Sequence, residues 1–493
     1  MKLPRRTFMA GAVSALLGQA CGRRAPAGGR DSAPVPVPPK APLPSVLIRD
    51  VPFVRQKPDF CGEAVTAAWL GALGKRSDQD AVFDASGMDP ARGMGVTTRE
   101  LEVALTRLGF RTGKVWHQIR AASAADELAQ RFAELHADLK RGVPCIVCMR
   151  YDERPDTTEH FRLVLGYDAE HDEVVYHEPA EDDGSYRRMA RARFLSLWPL
   201  RYEAQRWTVI RLALEPEGVN VPALPAGPGT AGFRPADFAQ HVMKLRERLS
   251  RDLSVVVEAP FVVVGNGGPL AVKRSAENTV RWAVHRLSQD FFDRPPLRIL
   301  DVWLLGDAES YGKVTRSLTG SDPSTPYGFY TREHRALVMN IGTGGGTLVH
   351  EIVHPYIEAN FPGCPAWFNE GLGSLFEQSA ERDGHIVGLT NWRLRGLQNA
   401  IRKGRVPSFE ALTATSDSEF YADETGVHYA AARYLLYYLQ ERDLLRRYYR
   451  DFVAAHARDS SGFATLSSAL GERDMKGFQK RWEAWVLALR FES

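Results

Sequence analysis

Apolar positions on a helical period open the ordered part of the chain. A helix starts at Cys61 and runs through GEAVTAAWLGALG. Leu101, Ala104, Leu105 and Leu108 mark a second amphipathic helix that stops at Gly109, and Leu128, Phe132, Leu135 and Leu139 mark a third. The pattern then changes to short β-rich runs: VPCIVCMRY, HFRLVLGYD, EVVYHEP and WTVIRLAL. Helices followed by antiparallel strands predict an α+β unit. Further on, a helix is predicted near 237–249, then the strand FVVVG, the helix ENTVRWAVHRLSQDFF and the strand LRILDVWLLG. The strand RALVMNIG leads into a helix at 347, and the rest, to residue 493, reads as almost wholly helical. A Pro/Gly/Ala-rich stretch over 215–236 breaks every period and predicts a linker between a domain at 47–214 and one at 237–493.

Composition narrows the class. The 493 residues carry 63 Lys and Arg against 60 Asp and Glu, a formal charge of +3, without the basic excess of a nucleic-acid binder. No apolar run reaches the length needed to span a bilayer. Five cysteines are too few for a disulfide scaffold. The excess charge is local: Lys2, Arg5 and Arg6 precede the short apolar stretch Met9–Leu17, and residues 1–20 contain no acid. That order predicts an export signal over 1–20. Arg5-Arg6-Thr7-Phe8-Met9 resembles a twin-arginine signal, and Gly18-Gln19-Ala20-Cys21 resembles a lipoprotein cleavage site. The resemblance implies a lipid anchor on Cys21 and a periplasmic or cell-surface location. Seven prolines between Pro26 and Pro44 make residues 21–46 an extended tether.

Gln56, Cys61, His160 and Glu178 form a candidate nucleophilic site in the first domain. A cysteine at a helix N-terminus has its thiolate favoured by the helix dipole. Gln56 on the incoming loop offers an amide to an oxyanion, His160 on a strand a base, and Glu178 at the next strand end a group to orient it. QKPDFCGEA, GVPCIVCMRY, HFRLVLGYD and HEPA together resemble the bacteriocin-processing type of papain-like cysteine peptidase over 47–214. The resemblance implies Cys61 as nucleophile, His160 as base, Gln56 as oxyanion donor and Glu178 as orienting acid. Two departures stand out: Glu178 replaces the usual Asp, and the Gln-to-Cys spacing is one residue short. Cys145 and Cys148 lie in one strand on opposite faces, so they read as buried free thiols rather than a redox or zinc pair. Cys364, in a loop, reads as unpaired and His177 as a structural histidine.

The second domain holds His350-Glu351-Ile352-Val353-His354. On a helix, residues i and i+4 share a face, so both imidazoles can bind one metal while Glu351 serves a bound water as base. Gly342 to Gly346 form the entry loop, with Thr347 as the expected N-cap. Glu370, 16 residues past His354, is the expected third ligand, with Glu377 as rival. WFNEGLGSLFE and HYAAARYLLYYL resemble the later helices of gluzincin metallopeptidases of the "peptidase MA-like" kind, over about 250–445. The resemblance implies zinc on His350, His354 and Glu370, with Tyr429 steadying an oxyanion. Pro355 should loosen this helix or end it early. The expected function is an exported two-domain peptidase acting on protein or peptide. The first domain is either a second active site or a peptide-binding module. A non-enzymatic surface binder is the remaining alternative.

Overall fold

The computed structural model describes residues 37–39, 42–203, 206–221, 232–250, 252–343 and 346–491. The export signal at 1–20, Cys21, most of the tether and the middle of the linker lie outside them, as do Gly344 and Gly345. Among the described residues, no helix is long and apolar enough to cross a membrane. The chain forms two compact units.

The first unit is built on an antiparallel sheet. Its main strands are β1 (Trp116–Arg120), β2 (Cys145–Arg150), β3 (Glu159–Asp168), β4 (Glu173–His177), β5 (Arg187–Ala190) and β6 (Arg206–Ala213), in spatial order β1-β6-β2-β3-β4-β5. Helix α1 (Cys61–Ala72) packs on one face and α2 (Ala124–Lys140) on the other. The period-2 alternation of the strands divides their side chains between two cores. Ile146, Cys148, Phe161, Leu163, Ile210 and Leu212 join the α1 side. Cys145, Val147, Met149, Val164 and Val209 join the α2 side. Cys145 and Cys148 therefore sit in different cores, and both are free, as is Cys364.

The second unit has a mixed sheet of β7 (Ser254–Glu258), β8 (Phe261–Gly265), β9 (Leu300–Leu305), β10 (Gly328–Thr331) and β11 (Ala336–Asn340), ordered β7-β8-β9-β11-β10. The three central strands run parallel and the two edges antiparallel. One continuous core joins this sheet to α3 (Gly346–Asn360), α4 (Ala366–Leu375), α5 (Val427–Gln440) and the later helices. A hairpin at 379–388 interrupts the helical remainder.

Three local expectations change. Helix α3 begins at Gly346, so Thr347 lies inside its first turn rather than capping it. Pro355 does not end the helix, which continues to Asn360; the proline removes only the N–H that would bond to the Glu351 carbonyl. The helix Pro235–Arg246 was expected to open the second domain, yet Arg234–Met243 belongs to the first unit. Ala236 and Ala239 bury their methyls in the α1-side core. Asp84 accepts from Arg234 Nε at 2.8 Å and from the Ala236 backbone N–H at 3.0 Å. Asp84→Ala should cost the first unit about 1–3 kcal/mol in urea unfolding by leaving those donors unpaired.

Candidate active sites

In the first unit, β3 and the end of β4 bring His160 and Glu178 together. Both are buried, and His160 Nε2 donates to Glu178 Oε1 at 2.5 Å. Burial alone would raise the Glu178 carboxyl, but the neighbouring His160 and Arg162 outweigh it and hold it down at about 2. An ionised carboxylate is acceptor-only, so the His160 proton sits on Nε2. His160 Nδ1 is left buried with no partner among the described residues, as a base waiting for a donor. Glu178 Oε1 also accepts from the Ala180 backbone N–H at 3.1 Å.

Arg162 is a member of this site that the sequence reading passed over. Two residues along the same face of β3, it donates from Nε to Glu178 Oε2 at 2.6 Å. Its other nitrogens bond to the carbonyls of Arg150 and Tyr151 at 3.2 and 2.9 Å. Tyr151 and Tyr176 flank its guanidinium, with ring centroids 5.4 and 5.6 Å away. The signal was one charged residue within an apolar strand. Gln56 is tied to the same corner: its backbone N–H donates to the Pro179 carbonyl at 3.0 Å, and its side-chain Oε1 is buried without a partner. Cys61 is the first residue of α1, whose next residue, Gly62, abuts Phe161 beside His160; an added Cβ would lie 3.1 Å from that ring. Cys61 is buried. His177 is a structural histidine: Nε2 meets the Val51 carbonyl at 3.2 Å, and Nδ1 accepts from the Tyr186 backbone at 3.0 Å.

In the second unit, His350 and His354 lie one turn apart on α3, with ring centroids 4.9 Å apart. Glu370, on α4, reaches both: His350 Nε2 is 3.2 Å from Oε2 and His354 Nε2 is 3.9 Å from Oε1. Four ligands around zinc at its usual bond lengths sit about 3.4 Å from one another, and the two imidazole-to-Glu370 distances lie on either side of that spacing. Glu351 is also near, its Oε2 3.8 Å from His354 Nε2, and its carboxylate lies within 4.8 Å of both imidazole ligand atoms. Glu370 comes within 4 Å of both imidazoles through its two oxygens, whereas Glu351 lies at 3.8 Å from His354, slightly nearer than Glu370 at 3.9 Å.

The partners behind these side chains explain their orientation. His354 Nδ1 donates to Asn369 Oδ1 at 2.9 Å, which turns the Nε2 lone pair toward Glu370. His350 Nδ1 is 3.4 Å from Glu377 Oε1, a charge contact rather than an aligned hydrogen bond. Glu377 is otherwise occupied by Arg393, through two bonds of 2.9 and 2.6 Å, and by Asn391 Nδ2 at 3.0 Å. It stands behind His350, on the Nδ1 side. Glu370 is further held by the Tyr421 hydroxyl at 2.8 Å. Tyr429, half-buried on α5, lies on the same cavity wall, with Arg393 5.3 Å above its ring. Arg393 and Tyr421 had no sequence signal, because segments far apart in the chain deliver them. Asn369 was visible only as part of the Asn-Glu-Gly triplet.

Backbone proximity makes this geometry possible. An added Cβ on Gly373 would stand 3.1 Å from the His350 ring, and one on Gly346 would collide with the Glu377 carbonyl. The site opens into a cavity of about 1180 Å³. Burial would neutralise Glu370 and Glu377, yet both stay near 2: Glu370 through His354 and His350, Glu377 through Arg393 and His350. Burial opposes charge on His350, but those same glutamates push it up to about 10.

Residues 48–206 match the Peptidase_C39-like family. Among solved structures, the chain is similar to the crystal structure of the peptidase domain of Streptococcus ComA, described as a bi-functional ABC transporter involved in a quorum sensing pathway. The identity is 20%, the match covers 34% of this chain and 99% of that chain, and the TM-score is 0.24. No curated protein matches. The family match places a C39-like region within the first unit.

Two measurements check these arrangements. A carboxyl held below its unfolded value stabilises the fold above that value and loses the contribution as pH falls through its folded value. Glu178 should therefore support the first unit above about 4.5 and cease to do so by about 2. Glu178→Gln should flatten the fall in urea midpoint across that window. Glu377→Gln should bind one zinc at saturation but about 10–100-fold more weakly in chelator competition, since it disturbs the partner behind His350 and no ligand.

Proposed function

We propose that the chain is an exported peptidase whose second unit is a zinc-dependent hydrolase, joined to a cysteine peptidase-like first unit. The carrying observation is the approach of His350, His354 and the Glu370 carboxylate to one another at the wall of an open cavity, with Glu351 alongside. These three residues would hold zinc, which supplies Lewis acidity toward water and toward a peptide carbonyl. Glu351 takes the proton of the attacking water and returns it to the departing amine as the C–N bond breaks. Tyr429 donates its hydroxyl proton in a hydrogen bond to the oxygen on which negative charge develops. An extended substrate can lie along the edge strand β10, whose Gly328, Phe329 and Tyr330 line the cavity.

In the first unit, the Cys61 sulfur attacks a carbonyl carbon. Its proton passes to His160 Nδ1 and then to the leaving amine, and water later releases the acyl group. Glu178 and Arg162 hold the imidazole in the required tautomer. Export through residues 1–20 and anchoring at Cys21 would place both units outside the cytoplasm.

Cleavage of denatured casein by the full chain tests this. Glu351→Gln should lower zinc-dependent turnover by at least a thousandfold while retaining one bound zinc. Iodoacetamide should abolish a cleavage component that survives chelation and is absent from Cys61→Ala. If chelation leaves casein cleavage intact and neither substitution alters it, both assignments are wrong.

A further inference from the structure

Three aromatic side chains rim the second-unit cavity with more than half their surface in water: Tyr327 at 54%, Trp392 at 52% and Tyr421 at 54%. They come from three separate segments, and none is needed by the core. Two are held in place. Trp392 lies between Asn391 and Arg393, both bonded to Glu377. Tyr421 is pinned by its hydroxyl to Glu370 at 2.8 Å. Rigid, exposed aromatics lose little entropy when a ligand covers them.

The charges of the cavity are unevenly compensated. Its lining carboxylates are Glu351, Glu358, Glu370, Glu377, Asp423 and Glu424. Arg332 neutralises Glu358 at 2.8 Å, and Arg393 neutralises Glu377. A divalent ion would balance Glu351 and Glu370. That leaves Asp423 and Glu424, adjacent on the rim beside Tyr421. Asp423 accepts the backbone N–H of Thr425 at 3.0 Å and of His428 at 2.7 Å, which fixes the turn into α5. Glu424 is exposed and has no ion-pair partner among the described residues.

We propose that the cavity selects an extended polypeptide that sets a lysine or arginine against Tyr421, Asp423 and Glu424 and an apolar or aromatic side chain against Trp392. The inference rests on the zinc peptidase reading and names its substrate class. A cation beside an aromatic face and two carboxylates gains from both, and Trp392 supplies apolar area at a fixed position. A neutral glycan would also stack on the aromatics but would leave the acid pair unused, so the charge pattern favours the cationic chain.

Binding to the zinc-loaded full-length Glu351→Gln protein separates the outcomes. The probes are a twelve-residue peptide alternating Lys with Phe, its Glu-for-Lys counterpart, and an N-acetylglucosamine oligomer. The Lys–Phe peptide should bind at least tenfold more tightly than the Glu–Phe peptide at low salt, with the gap narrowing as salt rises. Glu424→Lys should reverse most of that preference, and Trp392→Ala should weaken the Lys–Phe peptide about five- to thirtyfold, with zinc content unchanged in both. Equal affinity for the two peptides, tighter binding of the oligomer, or indifference to both substitutions would overturn the inference. Failure of the peptidase reading would look different: wild-type protein would bind the Lys–Phe peptide selectively and leave it uncut.

Discussion

Charge buried within one turn of α3 sets the terms for the second unit. His350 and His354 face Glu370, while Glu351 and Glu377 flank them, all largely out of water. Such a group persists only if every member has a partner, because an unpaired buried charge costs several kcal/mol. The surrounding structure supplies those partners. Asn369 serves His354, Arg393 and Asn391 serve Glu377, and Tyr421 serves Glu370. The close approach of α4 to α3 depends on having no side chain at Gly373, and the seat of the Glu377 carbonyl depends on having none at Gly346. Helix geometry thus fixes the two imidazoles, and helix packing brings the Glu370 carboxylate to them.

The first unit meets a similar constraint with one carboxylate. Glu178 is shared between His160 and Arg162, so the charge that orients the imidazole is itself clamped by a guanidinium. This division suits a glutamate, whose extra methylene must be held in one position. Arg162 in turn depends on the carbonyls at the end of β2 and on the faces of two tyrosines.

Much of the fold was legible in the sequence where a regular period met a single environment. The helices at 98–107 and 124–140 and the strands β2, β3, β4 and β6 follow their apolar patterns closely. The edge strands β7 and β10 were not foreseen, because short edge strands carry little periodic signal. The helix Pro235–Arg246 was assigned to the wrong unit, because its apolar face says only that it packs on something. Thr347 and Pro355 misled in opposite ways: one is a good cap that a helix can start before, the other a breaker that a helix can absorb.

The chain alone determined which side chains stand on one helical face. The spacing of His350, Glu351 and His354 is a property of the α-helix, and the position of Cys61 at a helix start is local too. Tertiary structure alone decided what those side chains meet. That Glu370 rather than Glu377 spans the two imidazoles, that Arg162 shares Glu178, and that Tyr421 and Trp392 reach the same cavity all depend on contacts between distant segments. Local periodicity dictates the direction of a side chain along its own element. The partner across a gap is set by how elements pack, which no single segment encodes.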